Sequence, residues 1–130
     1  MCEKMDKKKI LIVDDEADIL KLTSIRLRKL GYDVLTAVNG QEGLDSIREN
    51  KPDLVLLDMV LPIMNGEEIC YKIKNDEQLK HIPIILFTAS SNFMTAEKTK
   101  MIGAEDCVIK PFDPTVLREK VEKILAQGVI

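Results

Sequence analysis

Ile10-Leu11-Ile12-Val13-Asp14-Asp15-Glu16 decides how the rest of the chain is read. Four consecutive apolar residues leave no polar face, which is the pattern of a strand covered by packing on both sides. The run stops abruptly at three acids. Working outward, residues 16–30 place Ile19, Leu20, Leu22, Ile25, Leu27 and Leu30 on one broad helical face, with Lys21, Arg26 and Lys29 among the polar remainder. Gly31 stands where a helix would end. Upstream, residues 1–8 read as a charged tail, and the short basic cluster Lys7-Lys8-Lys9 before the strand reads as solvated.

The same alternation repeats. Residues 33–37 make a second, weaker strand, and Asn39 with Glu42 has N-cap spacing for a helix through Ile47. Leu54-Val55-Leu56-Leu57 is a third strand. A turn at Pro62 and Asn65-Gly66 follows, then a helix whose Ile69 and Ile73 face the core. Pro83 to Phe87 is the fourth strand, and residues 93–102 form a poor amphipathic helix with Met94, Met101 and Ile102, stopped by Gly103. Asp106 to Ile109 is a fifth strand. Asp113-Pro114 reads as N-cap and first helical residue, ahead of a helix lined by Val116, Leu117, Val121, Ile124 and Leu125. Five β–α units predict an α/β domain, a parallel sheet with helices on both faces. In such sheets ligands bind beyond the carboxyl ends of the strands.

Composition narrows the classes. A chain of 130 residues, 45% hydrophobic and 32% charged, is one globular domain that needs no staple. Its formal net charge of −3 supplies no overall pull towards nucleic acid or acidic membranes. Cys2, Cys70 and Cys107 form no C-x-x-C pair, so they read as reduced thiols. Ile10–Val13 is too short for a signal peptide core, and no segment approaches a membrane span. A cytoplasmic protein is expected.

The strand ends carry the chemistry. The first strand ends in Asp14, Asp15 and Glu16, the third in Asp58, the fourth in Thr88 and the fifth in Lys110. Carboxylates crowded into one crevice repel one another. A hard divalent cation such as Mg²⁺, which takes one or two carboxylates and keeps its waters, offsets that repulsion. With a cation and Lys110 present the crevice accepts a phosphoryl group, Thr88 offers a hydroxyl, and an aspartate becomes a nucleophile for phosphoryl transfer.

These residues carry a resemblance. Ile10–Glu16, Pro52–Pro62, Asn65-Gly66, Pro83–Ala89, Gly103–Asp106 and Lys110–Phe112 resemble, in order and spacing, the receiver domain of two-component response regulators. The resemblance spans roughly residues 9–126. It implies a flavodoxin-like (βα)5 three-layer sandwich with a five-stranded parallel sheet of order 2-1-3-4-5. It implies that Asp58 is the phospho-acceptor, served by a sensor histidine kinase or histidine phosphotransfer protein. It makes Asp15 a direct Mg²⁺ ligand, Asp14 a ligand acting largely through water, and the Val60 carbonyl a further ligand beside Asp58. Thr88 and Lys110 would engage the phosphoryl group, with a cis Lys110-Pro111 peptide aiming the lysine. A receiver unit over 9–127 is expected, with no output domain in this chain.

One departure stands out. The family often places an aromatic switch residue three positions before its lysine, where this chain has Cys107, read here as core filling. Two positions that tune phosphoryl lifetime correspond to Val60 and Ser90; Val60 cannot hydrogen-bond an attacking water, which implies a long-lived phosphoryl group. His81 reads as a surface residue, Met59 and Met64 as packing residues. Output partners or a second protomer would bind through residues 93–126, on a face including Met94, Lys98, Met101, Cys107 and Arg118. Three other functions compete with the switch. A Mg²⁺-dependent aspartyl-phosphate phosphohydrolase would need a substrate cap. A flavin carrier would need a phosphate loop in place of Asp14-Asp15-Glu16 and more than five aromatics. A scaffold that is never phosphorylated would have little reason to retain all five pocket groups.

Overall fold

A computed structural model describes residues 7–88, 96–110 and 113–127. The elements are β1 (Lys9–Val13), α1 (Ala17–Lys29), β2 (Asp33–Ala37), α2 (Gly40–Asn50), β3 (Leu54–Asp58), α3 (Gly66–Lys74), β4 (Ile84–Thr88), α4 (Ala96–Ile102), β5 (Asp106–Ile109) and α5 (Pro114–Gln127). All strand pairs are parallel and the sheet order is β2-β1-β3-β4-β5. This is the flavodoxin-like order.

Strand alternation splits the core in two. Leu11, Val13, Val55, Leu57, Ile84 and Leu86 point to the side of α2 and α3, where they meet Leu44, Ile47, Ile69 and Ile73. Ile10, Ile12, Leu54, Leu56, Ile85 and Phe87 point the other way, onto Leu27 of α1 and Leu117, Val121 and Leu125 of α5. Every residue of β3 and β4 is buried, so continuous apolar runs are the price of helices on both faces.

The helices differ from the sequence pattern in width more than position. Leu22, Ile25 and Leu30 of the α1 region are exposed, while Thr23, Ser24 and Leu27 are buried. Ser24 returns its hydroxyl to the Leu20 carbonyl at 2.7 Å, so a small residue meets the sheet where a broad apolar face was expected. Val116 is likewise exposed, and the α5 stripe narrows to Leu117, Val121 and Leu125 with Ile124 at its margin. The second helix runs past Ile47 to Asn50; it ends when Lys51 takes a left-handed conformation (φ 45°) and donates its N–H to the Ile47 carbonyl. Asn65 and Glu68 form the full reciprocal capping box at the start of α3. In α4, Met101 is exposed and Ile102 packs against the core edge. Cys2, Met94, Ser90 with the 89–95 loop, and the Pro111 and Phe112 of the lysine motif lie outside the described residues.

Candidate functional site

Asp14 and Asp58 stand at the carboxyl ends of neighbouring strands because β1 and β3 pair in register, Val13 opposite Leu57. Thr88 closes β4, where it is buried. Its carbonyl accepts the Lys110 N–H at 2.7 Å, which carries the lysine to the same edge. The strand ends therefore deliver two aspartates, a threonine and a lysine to one crevice.

The Lys110 ammonium is the hub of that crevice. Its Nζ lies 2.9 Å from Glu16 Oε1, 3.0 Å from Asp14 Oδ2 and 3.0 Å from Asp58 Oδ2. One carboxylate oxygen from each of Asp14, Glu16 and Asp58 falls within 4.8 Å of the other two. Burial alone would lower the lysine pKa, but Glu16, Asp14 and Asp58 outweigh it and hold the ammonium well above its ordinary range. Burial raises the Asp58 carboxyl, and the Asp14 charge adds to it; the Val60 N–H, 3.1 Å from Oδ1, and Lys110 pull the other way. Asp14 is fully buried. Its Oδ1 accepts the Glu16 N–H at 2.8 Å, whereas its Oδ2 makes no hydrogen bond, the nearby ammonium lying off the bonding direction.

That leftover oxygen bears on the metal. Three carboxylates face one ammonium, so the cluster keeps an excess of negative charge and a buried lone pair without a donor. Hard oxygen donors in that arrangement fit Mg²⁺.

The loop after β3 is held from both sides. A Cβ on Gly66 would lie 2.5 Å from the Asp58 carbonyl, so α3 begins directly against Asp58 only because glycine stands there. The Gly66 N–H donates to the Met59 carbonyl at 3.0 Å. Between these points Ile63 adopts φ 72°, a left-handed conformation that a β-branched residue rarely takes, and the Met64 N–H reaches back to the Pro62 carbonyl at 2.7 Å. Val60 and Ile63 project into solvent, while Met59 and Met64 pack against the core as the sequence suggested.

The structure brings Asp14, Asp58, Thr88 and Lys110 together, with Val60 two residues beyond Asp58. Asp15 stands apart from the converging acids: it is exposed and lines an open groove with Ala17, Leu20 and Lys21. Glu16, which the sequence reading counted among the acids but gave no role, is the residue that meets Lys110. Its position after Asp14-Asp15 was the available signal; the direction of its side chain was not. His81 is exposed at the opposite end of the sheet, and Cys107 is half-buried against the core, its thiol pushed up by burial and then by Asp106.

Fold and crevice together define a flavodoxin-like domain with an acidic, lysine-bearing site at its strand ends. Residues 10–122 match the response regulator receiver domain family, and the chain belongs to that family. It is similar to the alkaline phosphatase synthesis transcriptional regulatory protein PhoP of Bacillus subtilis, 37% identical over 123 residues that cover 95% of this chain and 50% of that protein. It is 40% identical over 118 residues to the phosphate regulon transcriptional regulatory protein PhoB of Pseudomonas aeruginosa, covering 91% of this chain and 52% of that one. The chain thus spans about half the length of these curated relatives. The chemotaxis response regulator CheY4 of Vibrio cholerae superimposes with a TM-score of 0.84 at 30% identity, covering 91% of this chain and 98% of that one. Receiver domains pair with histidine kinases and generally use Mg²⁺. Among the described residues no helix is long and apolar enough to cross a membrane.

Proposed function

We propose that this chain is a phosphorylation switch whose acceptor is Asp58. The observation that carries the reading is the Lys110 ammonium 3.0 Å from Asp58 Oδ2, inside a crevice with more carboxylates than it can neutralise. Asp58 attacks phosphorus with a carboxylate oxygen. A new O–P bond forms, the P–N bond to the histidine of a kinase or phosphotransfer protein breaks, and its electron pair returns to the imidazole. The Val60 N–H orients the acceptor from one side, and Lys110 pairs with the arriving phosphoryl oxygens from the other. Thr88, on the same edge, turns its hydroxyl towards the product.

Mg²⁺ would be held by Asp14 and Asp58, with Asp15 and the Val60 carbonyl completing the set that the family resemblance implies. When bound, it neutralises the crowded acids and polarises the phosphoryl oxygens. Phosphorylation then shifts the population towards a state that binds an output protein or second protomer through residues 93–126, with no direct contact to nucleic acid. Lys98, Met101, Cys107 and Arg118 contribute to that face. The receiver unit covers 9–127 behind a tail at 1–8, and acts in the cytoplasm as a signalling module rather than a turnover enzyme. With Val60 at the tuning position, the phosphoryl group outlasts many seconds.

Incubation with Mg²⁺ and acetyl phosphate, followed by intact mass measurement, tests the reading. The wild type gains one phosphoryl group and Asp58→Asn gains none. A wild type that stays unmodified would mark a scaffold, and multiple turnover on phosphate esters would mark a phosphohydrolase.

A further inference from the structure

We propose that Glu16 is a positioning residue that occupies Lys110 in the resting protein and must yield it to the incoming phosphoryl group. This deepens the reading of Asp58 as acceptor and rests on it.

Glu16 occupies the N-cap of α1, yet its side chain makes no capping hydrogen bond. That position favours short oxygen-bearing side chains that satisfy the first helical N–H groups, and the benefit is forgone here. The carboxylate is turned across the strand ends to Lys110, 94 residues away in the chain, and makes the shortest of the three ion contacts at 2.9 Å. The backbone beneath it is fixed, because its N–H donates to Asp14 Oδ1 at 2.8 Å. Only the side chain is free to move.

The partners of Lys110 differ in what they can do. The side chains of Asp14 and Asp58 are 0% and 9% exposed, and that of Glu16 is 59% exposed. A buried carboxylate cannot leave the ammonium without stranding its charge. An exposed one leaves at little cost, since water takes the ammonium's place. Of the three N–H donors of the lysine, Glu16 and Asp58 each take one, and Asp14 Oδ2 lies 3.0 Å away without a hydrogen bond. A phosphoryl group that pairs with Lys110 through more than one oxygen displaces one of these carboxylates, and Glu16 is the one able to retreat. The same carboxylate adds one negative charge to the mouth that the donor must enter. Glu16 thus sets the concentration of donor needed, rather than the speed of the step once the donor is seated.

With acetyl phosphate the step is balanced without any further reactant: Asp58 oxygen bonds to phosphorus, the P–O bond to the acetyl group breaks, and acetate leaves with that electron pair. Phosphorylation of the wild type, Glu16→Gln and Glu16→Asp is followed against acetyl phosphate concentration. Mg²⁺ affinity of each unphosphorylated protein is read separately from amide chemical shifts. Glu16→Gln should lower the half-saturating acetyl phosphate by about fivefold, the Coulomb factor for one charge at about 4 Å in water. Its maximal rate should stay within about twofold, because the charge acts on donor entry, and its Mg²⁺ affinity should fall by less than about tenfold. Glu16→Asp keeps the charge and should remain within about twofold of wild type in half-saturation. An unchanged half-saturation in Glu16→Gln, with the wild type phosphorylating normally, overturns the assignment of Glu16 alone. A tenfold or greater loss of Mg²⁺ affinity, on the order of 1.4 kcal/mol, would make Glu16 a metal ligand and overturn it too. A wild type that takes no phosphoryl group at all overturns the acceptor reading, and this one with it.

Discussion

Two lysines anchor opposite ends of the same sheet, and the contrast between them separates a clamp from a site. Lys74, at the end of α3, donates to the Ile82 carbonyl at 2.8 Å and the Lys80 carbonyl at 3.3 Å, and meets Glu105 at 3.3 Å. Glu105 in turn accepts the Ile84 N–H at 2.7 Å. One ammonium faces one carboxylate, the remaining partners are neutral carbonyls, and the charge closes. Lys110 faces three carboxylates, one of which keeps a buried oxygen without a donor. Both side chains are well engaged, so the number of contacts does not distinguish them. Residual charge does. A cluster with nothing left over stabilises the fold, whereas one with an excess leaves negative charge for a cation to neutralise.

The largest effect should come from removing each lysine. In the absence of divalent cations, Lys110→Ala should lose about 3 kcal/mol in urea unfolding, because buried carboxylates are left unpaired. Millimolar Mg²⁺ should restore much of that loss by binding only the folded state. Lys110→Ala should also keep its Mg²⁺ affinity while failing to pass phosphorylation on to the amide shifts of α4 and β5. Lys74→Ala should cost about 1–2 kcal/mol, the net worth of its hydrogen bonds, and Mg²⁺ should not change the result. Equal responses of the two variants to Mg²⁺ would erase the distinction.

Neutralising Asp58 should act in the opposite direction. The Asp58 carboxyl is raised by burial, so the folded state binds its proton more tightly than the unfolded state. Stability linked to this group therefore grows as pH falls through the folded pKa and is lacking at neutral pH, where burial of the charge is a cost. Asp58→Asn should raise the metal-free Tm by a few degrees at pH 7, on the order of 1 kcal/mol. Glu105→Gln should lower it.

Near the clamp, Cys70 gives a test of pH. Burial pushes its thiol up to about 12. In the unfolded chain the thiol ionises near its ordinary value, so between about pH 9 and pH 12 the unfolded state loses the proton first and stability falls. Cys70→Ala should flatten that alkaline decline in a urea series, whatever the packing defect does to absolute stability. The smallest effect belongs to the rim of the crevice. Ile63→Gly should gain about 1 kcal/mol by relieving the left-handed backbone, offset in part by the added freedom of the unfolded chain.

Much of the fold was legible because it depends on strands buried on both faces. Ile10–Val13, Leu54–Leu57 and Ile84–Phe87 cannot be mistaken for half-exposed strands, and Asp14, Asp58 and Thr88 follow at their carboxyl ends. The width of a helix face was less legible. Periodicity tells which residues of α1 share a side, but the sheet accepts only a stripe through Leu20, Ser24 and Leu27, and Leu22 and Ile25 remain outside it. The crevice shows the same limit at a finer scale. Three successive acids after β1 announce a charged site, yet neighbouring side chains diverge. Asp14 turns inward, Asp15 faces solvent, and Glu16 has the reach to arrive at Lys110. Reach and direction come from the backbone between strand and helix, which one-dimensional spacing does not contain.

The backbone bond from Lys110 to Thr88 has a mechanical consequence. The last rung between β4 and β5 rivets the ammonium-bearing residue to the hydroxyl-bearing one, so a tug on either strand end is felt by its neighbour. Asp14 and Asp58 ride on a different pair of strands. The hollow is thus built from two jaws, one carrying acids and the other carrying a hydroxyl and an ammonium, and a small change in sheet twist would alter the gap between them.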